Sequence, residues 1–125
     1  MDDLFDRLFT GENNHHDHVS APTAIWEEAD HFHIEMELPG ISEDNVEVTF
    51  EKGQLTIAAN REAADSTDRK YLVNERSFGK VMRTISVSDE VDPDSIEASF
   101  TSGLLHVTLA KRPSELPKKI QVKAQ

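Results

Sequence analysis

Ile96, Ala98 and Phe100 recur at every second position, and beyond Gly103 so do Leu105, Val107 and Leu109. A period of two is the signature of a strand with one buried face; a helix repeats every 3.6 residues. Gly103, preceded by Thr101 and Ser102, supplies the backbone freedom that a tight turn or bulge needs. The segment therefore reads as a β-hairpin with an apolar underside, and that underside must be covered by something else in the fold.

The rest of the chain repeats this pattern. Val46, Val48 and Phe50 form one strand, Lys52-Gly53 turns it, and Leu55, Ile57 and Ala59 return as the second arm of a hairpin. From His31 to Leu38 the alternation places Phe32, Ile34, Met36 and Leu38 inward and His31, His33, Glu35 and Glu37 outward, with Pro39-Gly40 ending the strand. Ala24–Glu27 is a short strand before the Glu28-Ala29-Asp30 turn. Ser42–Asn45 is a polar connection with room for one helical turn. Gly79–Ser88 is a further strand with Val81, Ile85 and Val87 inward. Arg83 falls on that same face, where it needs an acid or carbonyl partner or a wet edge. Strands recurring about every ten residues with glycine turns predict an all-β sandwich or barrel, and 125 residues suffice for one such domain.

Three stretches break the rhythm. Residues 60–78 are polar and long for a loop inside a small sandwich, with Tyr71-Leu72-Val73 as a short strand within them. A strand carried on such an excursion often pairs elsewhere, including with another chain. Near the start, Leu4, Phe5, Leu8 and Phe9 make one stripe of a helix too short to be stable alone. At the other end, Pro113 and Pro117 keep the tail from folding back, and Ile120 and Val122 stand two apart in otherwise polar chain. Such a pair is either part of a frayed terminus or one side of an extended peptide that docks on a sheet edge.

Charge and composition exclude several function classes. The net charge of −11 argues against nucleic acid as a partner. Lys111, Arg112, Lys118, Lys119 and Lys123 against Glu115 give the tail about +4, leaving about −15 on the body. Tail and body can therefore attract one another between molecules, or both charges merely maintain solubility. The absence of cysteine excludes disulfides and thiolate metal sites and fits a cytoplasmic protein. No apolar run is long enough to span a membrane, and Met1-Asp2-Asp3 lacks the basic start of an export signal. His15, His16, Asp17 and His18 have metal-ligating side chains, but their polar segment offers no fold to fix them, so it reads as a solvated linker and no metal is assigned. No glycine-rich phosphate loop or nucleophile motif is present, so neither an ATP site nor an enzyme activity is expected. His106 lies opposite Leu105 and Val107 and reads as an exposed side chain rather than a catalytic one.

Four segments, in order, resemble the small heat-shock proteins and their shared α-crystallin domain. Glu37-Leu-Pro-Gly40 followed by Ser42–Val46 is similar to the family's Leu-Pro-Gly box. Glu75-Arg-Ser-Phe-Gly79 followed by Arg83 is similar to its Glu-Arg…Gly…Arg segment. Ala98–Leu105 resembles its Ala-x-x-x-x-Gly-Val-Leu signature, and Ile120-Gln-Val122 its C-terminal I-x-I/V motif. The Leu-Pro-Gly box resembles the bacterial and plant branch.

The resemblance implies an immunoglobulin-like β-sandwich over residues 21–112, a short N-terminal arm over 1–20 and a C-terminal extension over 113–125. It implies a homodimer formed by strand exchange, Tyr71–Asn74 of one chain pairing with Ala24–Glu27 of the other, with Tyr71, Leu72, Val73, Ile25 and Trp26 at the contact. It implies higher homo-oligomers in which Ile120 and Val122 anchor in a neighbour's groove, lined by Val46, Val48 and Phe50 and by Ile96, Ala98 and Phe100. Leu4, Phe5, Leu8 and Phe9 would join that groove in holding unfolded client proteins. The implied function is an ATP-independent holdase chaperone that prevents client aggregation and needs no cofactor. The alternative is a sandwich adaptor similar to the CS-domain co-chaperones, which bind a folded partner.

Overall fold

The computed structural model describes residues 21–65 and 67–124. The Leu4, Phe5, Leu8 and Phe9 stripe and the His15–His18 group lie outside the described residues. Seven strands follow one another: β1 Thr23–Glu27, β2 His31–Glu37, β3 Val46–Glu51, β4 Gln54–Arg61, β5 Gly79–Ser86, β6 Glu97–Thr101 and β7 Leu104–Ala110. All pairs are antiparallel, in a four-stranded sheet of order β1-β2-β7-β6 and a three-stranded sheet of order β3-β4-β5. The fold is an all-β sandwich. Among the described residues no helix is long and apolar enough to cross a membrane.

Both predicted hairpins form, and for the same local reason. Glu51 pairs with Gln54 and Thr101 with Leu104, so each connection has only two residues. Lys52-Gly53 and Ser102-Gly103 take positive φ at both positions, the twist that matches a two-residue turn to its strands. Gly103 is further constrained, because a Cβ there would lie 3.2 Å from Pro39 Cα. Its carbonyl accepts from Leu38 N at 2.7 Å. The tip of the β6–β7 hairpin thus clasps the end of β2.

Alternation delivers the core. Ile34, Met36 and Leu38 from the β2 segment, Leu55 and Ile57 from β4, and Val107 and Leu109 from β7 are the largest fully buried side chains. Each contributes roughly 1.5–3 kcal/mol through burial. Two short 3-10 turns, Glu43–Asn45 and Pro93–Ser95, lead into β3 and β6. Ser42 Oγ and Asp92 Oδ1 accept from the backbone N–H two residues on, which starts each turn. Ser95 Oγ donates to Asp92 O and accepts from Ala110 N, pinning the entry of β6 to the end of β7.

Some expectations need correction. Tyr71–Val73 take no strand within a single chain, where they pair with none of the sandwich's edge strands. Strand β5 ends at Ser86, and Val87 and Ser88 lie beyond it. His33 and His106 do point outward, but neither is simply exposed: the His33 side chain is 16% exposed, and its Nδ1 lies 3.1 Å from His106 Nε2.

Candidate functional site

A sandwich has four free strand edges, here β1 and β6 in one sheet and β3 and β5 in the other. An apolar cleft of about 210 Å³ places β5 beside β1, lined by Ile25, Phe32, Ile85 and Val87 and floored by Leu109. Edge β3 consequently falls on the opposite flank with β6. The two flanks present different chemistry.

On the β3/β6 flank, Val46, Val48 and Phe50 form the inner row of β3, in register with Ala59, Ile57 and Leu55. All three are half-buried and pack on the core. Ile96, just before β6, and Phe100 are likewise half-buried, while Ala98 is exposed. Ala98 and Phe100 are in register with the buried Val107 and Leu105. Six apolar residues named from the sequence therefore lie along β3 and along β6 and its approach, two strands whose outer hydrogen-bonding edges are unpaired among the described residues. Ile120 and Val122, 78% and 90% exposed, do not occupy that flank in their own chain.

On the β1/β5 flank, Ile25 points inward and is half-buried against the core. Trp26 points outward and stacks on His33, ring centroids 5.0 Å apart, with His106 at 6.2 Å in the same column. Trp26 Nε1 donates to Glu28 Oε2, and Glu28 Oε1 lies 3.2 Å from His33 Nε2. Strand β1 is held at its far end by Lys111, whose Nζ donates to Glu27 Oε2 at 2.7 Å. That hydrogen bond raises the lysine above its ordinary pKa. In the adjoining turn, the His31 hydrogen bond lowers the Asp30 carboxyl. Tyr71, Leu72 and Val73 are 46%, 88% and 74% exposed and stand on no neighbouring strand.

Arg83 sits in the inner row of edge strand β5, in register with Ile57, and burial draws its pKa down. The β1/β5 cleft did not emerge from the strand pattern alone. Its one sequence signal is Val91, a lone valine in the acidic Asp89–Asp94 turn, which is only 3% exposed.

The Hsp20/alpha crystallin family profile matches residues 24–123, so it takes in both flanks and the tail. The chain belongs to the Hsp20/alpha crystallin family. This family consists of small heat-shock chaperones, which are generally non-enzymatic. Heat shock protein 16 of Schizosaccharomyces pombe is 38% identical over 109 residues, covering 84% of this chain and 76% of that one. Small heat shock protein C4 of Rickettsia felis is 29% identical over 130 residues, covering 98% and 80%. Among solved structures, heat shock protein 16.0 from S. pombe superposes with a TM-score of 0.71 at 34% identity, over 86% of this chain and 99% of that one. A small heat-shock protein from Xylella fastidiosa, described as having a distinct high order structure, gives 0.71 at 31% identity, over 85% and 98%. The family's fold and the seven-strand sandwich described above are the same architecture.

Proposed function

We propose that this chain is an ATP-independent holdase: it covers the apolar surface and strand edges of partly unfolded proteins and so blocks their self-association. The observation that carries this reading is the β3/β6 flank, where six apolar side chains lie beside strand edges unpaired among the described residues, in a small heat-shock protein. A partly unfolded client exposes both apolar side chains and unpaired backbone, and this flank complements both. The Leu4, Phe5, Leu8 and Phe9 stripe adds a second apolar surface for the same clients.

Ile120 and Val122 of a neighbouring chain fit the same flank, because their spacing puts both on one side of an extended peptide. Burying each gains roughly 1.5–3 kcal/mol. Ordering the tail takes much of that back. One tail binds weakly, so assembly depends on many tails acting together, and tail and client compete for one surface. The exposed Tyr71-Leu72-Val73 segment and the free β1 edge with Ile25 and Trp26 support a homodimer formed by strand exchange. The cysteine-free sequence suits a cytoplasmic site of action.

The test is light scattering from heated citrate synthase without nucleotide. A holdase suppresses the scattering at near-stoichiometric ratio. A chain that leaves the scattering unchanged while binding a folded partner is an adaptor instead.

A further inference from the structure

Arg61 ends β4, where the chain leaves the sandwich for the 62–78 excursion. It is the one charged side chain that is buried among the described residues, 9% exposed. Its Nε donates to Pro39 O at 2.8 Å and its Nη1 to Ser77 O at 3.3 Å. Both acceptors are neutral carbonyls. No acceptor is described for Nη2, and no carboxylate among the described residues lies within ion-pair distance. A buried cation without a counter-charge is costly, and in a chain of net charge −11 acidic partners are plentiful.

A second guanidinium stands beside it. A Cβ placed on Gly40 would lie 3.7 Å from Arg61 Nε and 3.6 Å from Arg76 Nη2. Those two nitrogens are therefore no more than 7.3 Å apart, the two distances laid end to end. Arg76 also has no carboxylate within ion-pair distance among the described residues. Its guanidinium lies 4.9 Å over the Phe78 ring, a contact that uses none of its N–H donors. Both arginines line a solvent-open cavity of about 350 Å³ with Gly40 and Ser77. Glu37, on the same wall, is in ion-pair contact with neither arginine.

The geometry points to an oxyanion-binding site: Arg61 and Arg76 converge on the cavity beside Gly40 and take a carboxylate or phosphate-type oxyanion between them. The planar guanidinium fork matches such oxygens, and the pair of positive charges lacks only its counter-ion. The oxyanion has two sources, a free inorganic ion or an acidic side chain of a second copy of this chain. The 62–78 segment, which starts at this cavity, carries Glu62, Asp65, Asp68 and Glu75. The site stands apart from the client-binding reading.

The test titrates the full-length protein with inorganic phosphate at constant ionic strength, chloride making up the balance, and reads Tm and native mass. Arg76→Gln is the informative variant, because Arg61 also holds two backbone carbonyls. Phe78→Leu removes the ring beneath Arg76 and keeps both charges. The wild type and Phe78→Leu are expected to show a saturable rise in Tm, and Arg76→Gln an affinity weaker by about tenfold or more. Unchanged native mass at saturation identifies the free ion as the source. A fall in mass on adding phosphate, reproduced by Arg76→Gln without phosphate, identifies the second copy's carboxylate. The site is overturned if Arg76→Gln responds to phosphate as the wild type does, or if neither phosphate nor the substitution changes Tm or mass.

Discussion

The two flanks of the sandwich are built from the same alternating strands, yet they are finished differently. On the β1/β5 side the inward residues surround a cleft floored by Leu109, which is 2% exposed, and the lone Val91 lines it from the adjoining turn. On the β3/β6 side Val46, Val48, Phe50, Ile96 and Phe100 remain half-buried, and Ala98 is open. Ile25, Phe32 and Val87 are half-buried as well, so the difference lies in the floor. Fully buried Leu109 and Val91 line the first flank, while among the described residues the second presents its half-buried row beside the exposed Ala98.

Leu109→Ala should show the largest effect. It empties the floor of the β1/β5 cleft and is expected to cost about 2–5 kcal/mol in urea denaturation. Val48→Ala on the open flank should cost about 1 kcal/mol. Equal losses would break the asymmetry. Next, Ile120→Gly with Val122→Gly should lower the native mass measured by light scattering while shifting unfolding by less than about 0.5 kcal/mol. An unchanged mass removes the tail from assembly.

Ala98→Lys places a charge on the open flank at an exposed position, so the fold should tolerate it. Its native mass should match that of the tail variant, and combining the two should lower it no further, since both act on one contact. Additive losses would put the tail on another surface.

The smallest effect concerns the β1/β5 flank, whose β1 strand is tied down by Glu27 and Lys111. The lysine is raised by its partner, so its contribution is complete below the unfolded lysine value of about 10.4 and disappears as pH climbs through the higher folded value. Thermal unfolding of Glu27→Gln between pH 9 and 11 should lack that alkaline component. A wild-type profile of the same shape would deny the pair a role.

The core was legible because strand alternation is local: Phe32 to Leu38, Leu55 to Ala59 and Leu105 to Leu109 each announce their inward side without reference to the others. The open flank was legible only through resemblance, because nothing in Val46-x-Val48-x-Phe50 says which other strand will lie near it. Arg61 was missed for a related reason. It continues the inward row of Leu55, Ile57 and Ala59, and an arginine there reads as the end of the pattern. What buries it is the Pro39 carbonyl from 22 residues earlier, which no local period reveals. Alternation gives the outward side of His33 and His106 but not their mutual contact, which spans 73 residues of chain.

The clasp between the Gly103 carbonyl and the Leu38 amide has a consequence for biosynthesis. The larger sheet joins a hairpin from the beginning of the sandwich to one from its end, with the whole smaller sheet translated in between. While β6 and β7 are still inside the ribosome, β2 has emerged without its long-range neighbour. The larger sheet therefore cannot close, and one edge of β2 stays bare, until β6 and β7 have been made.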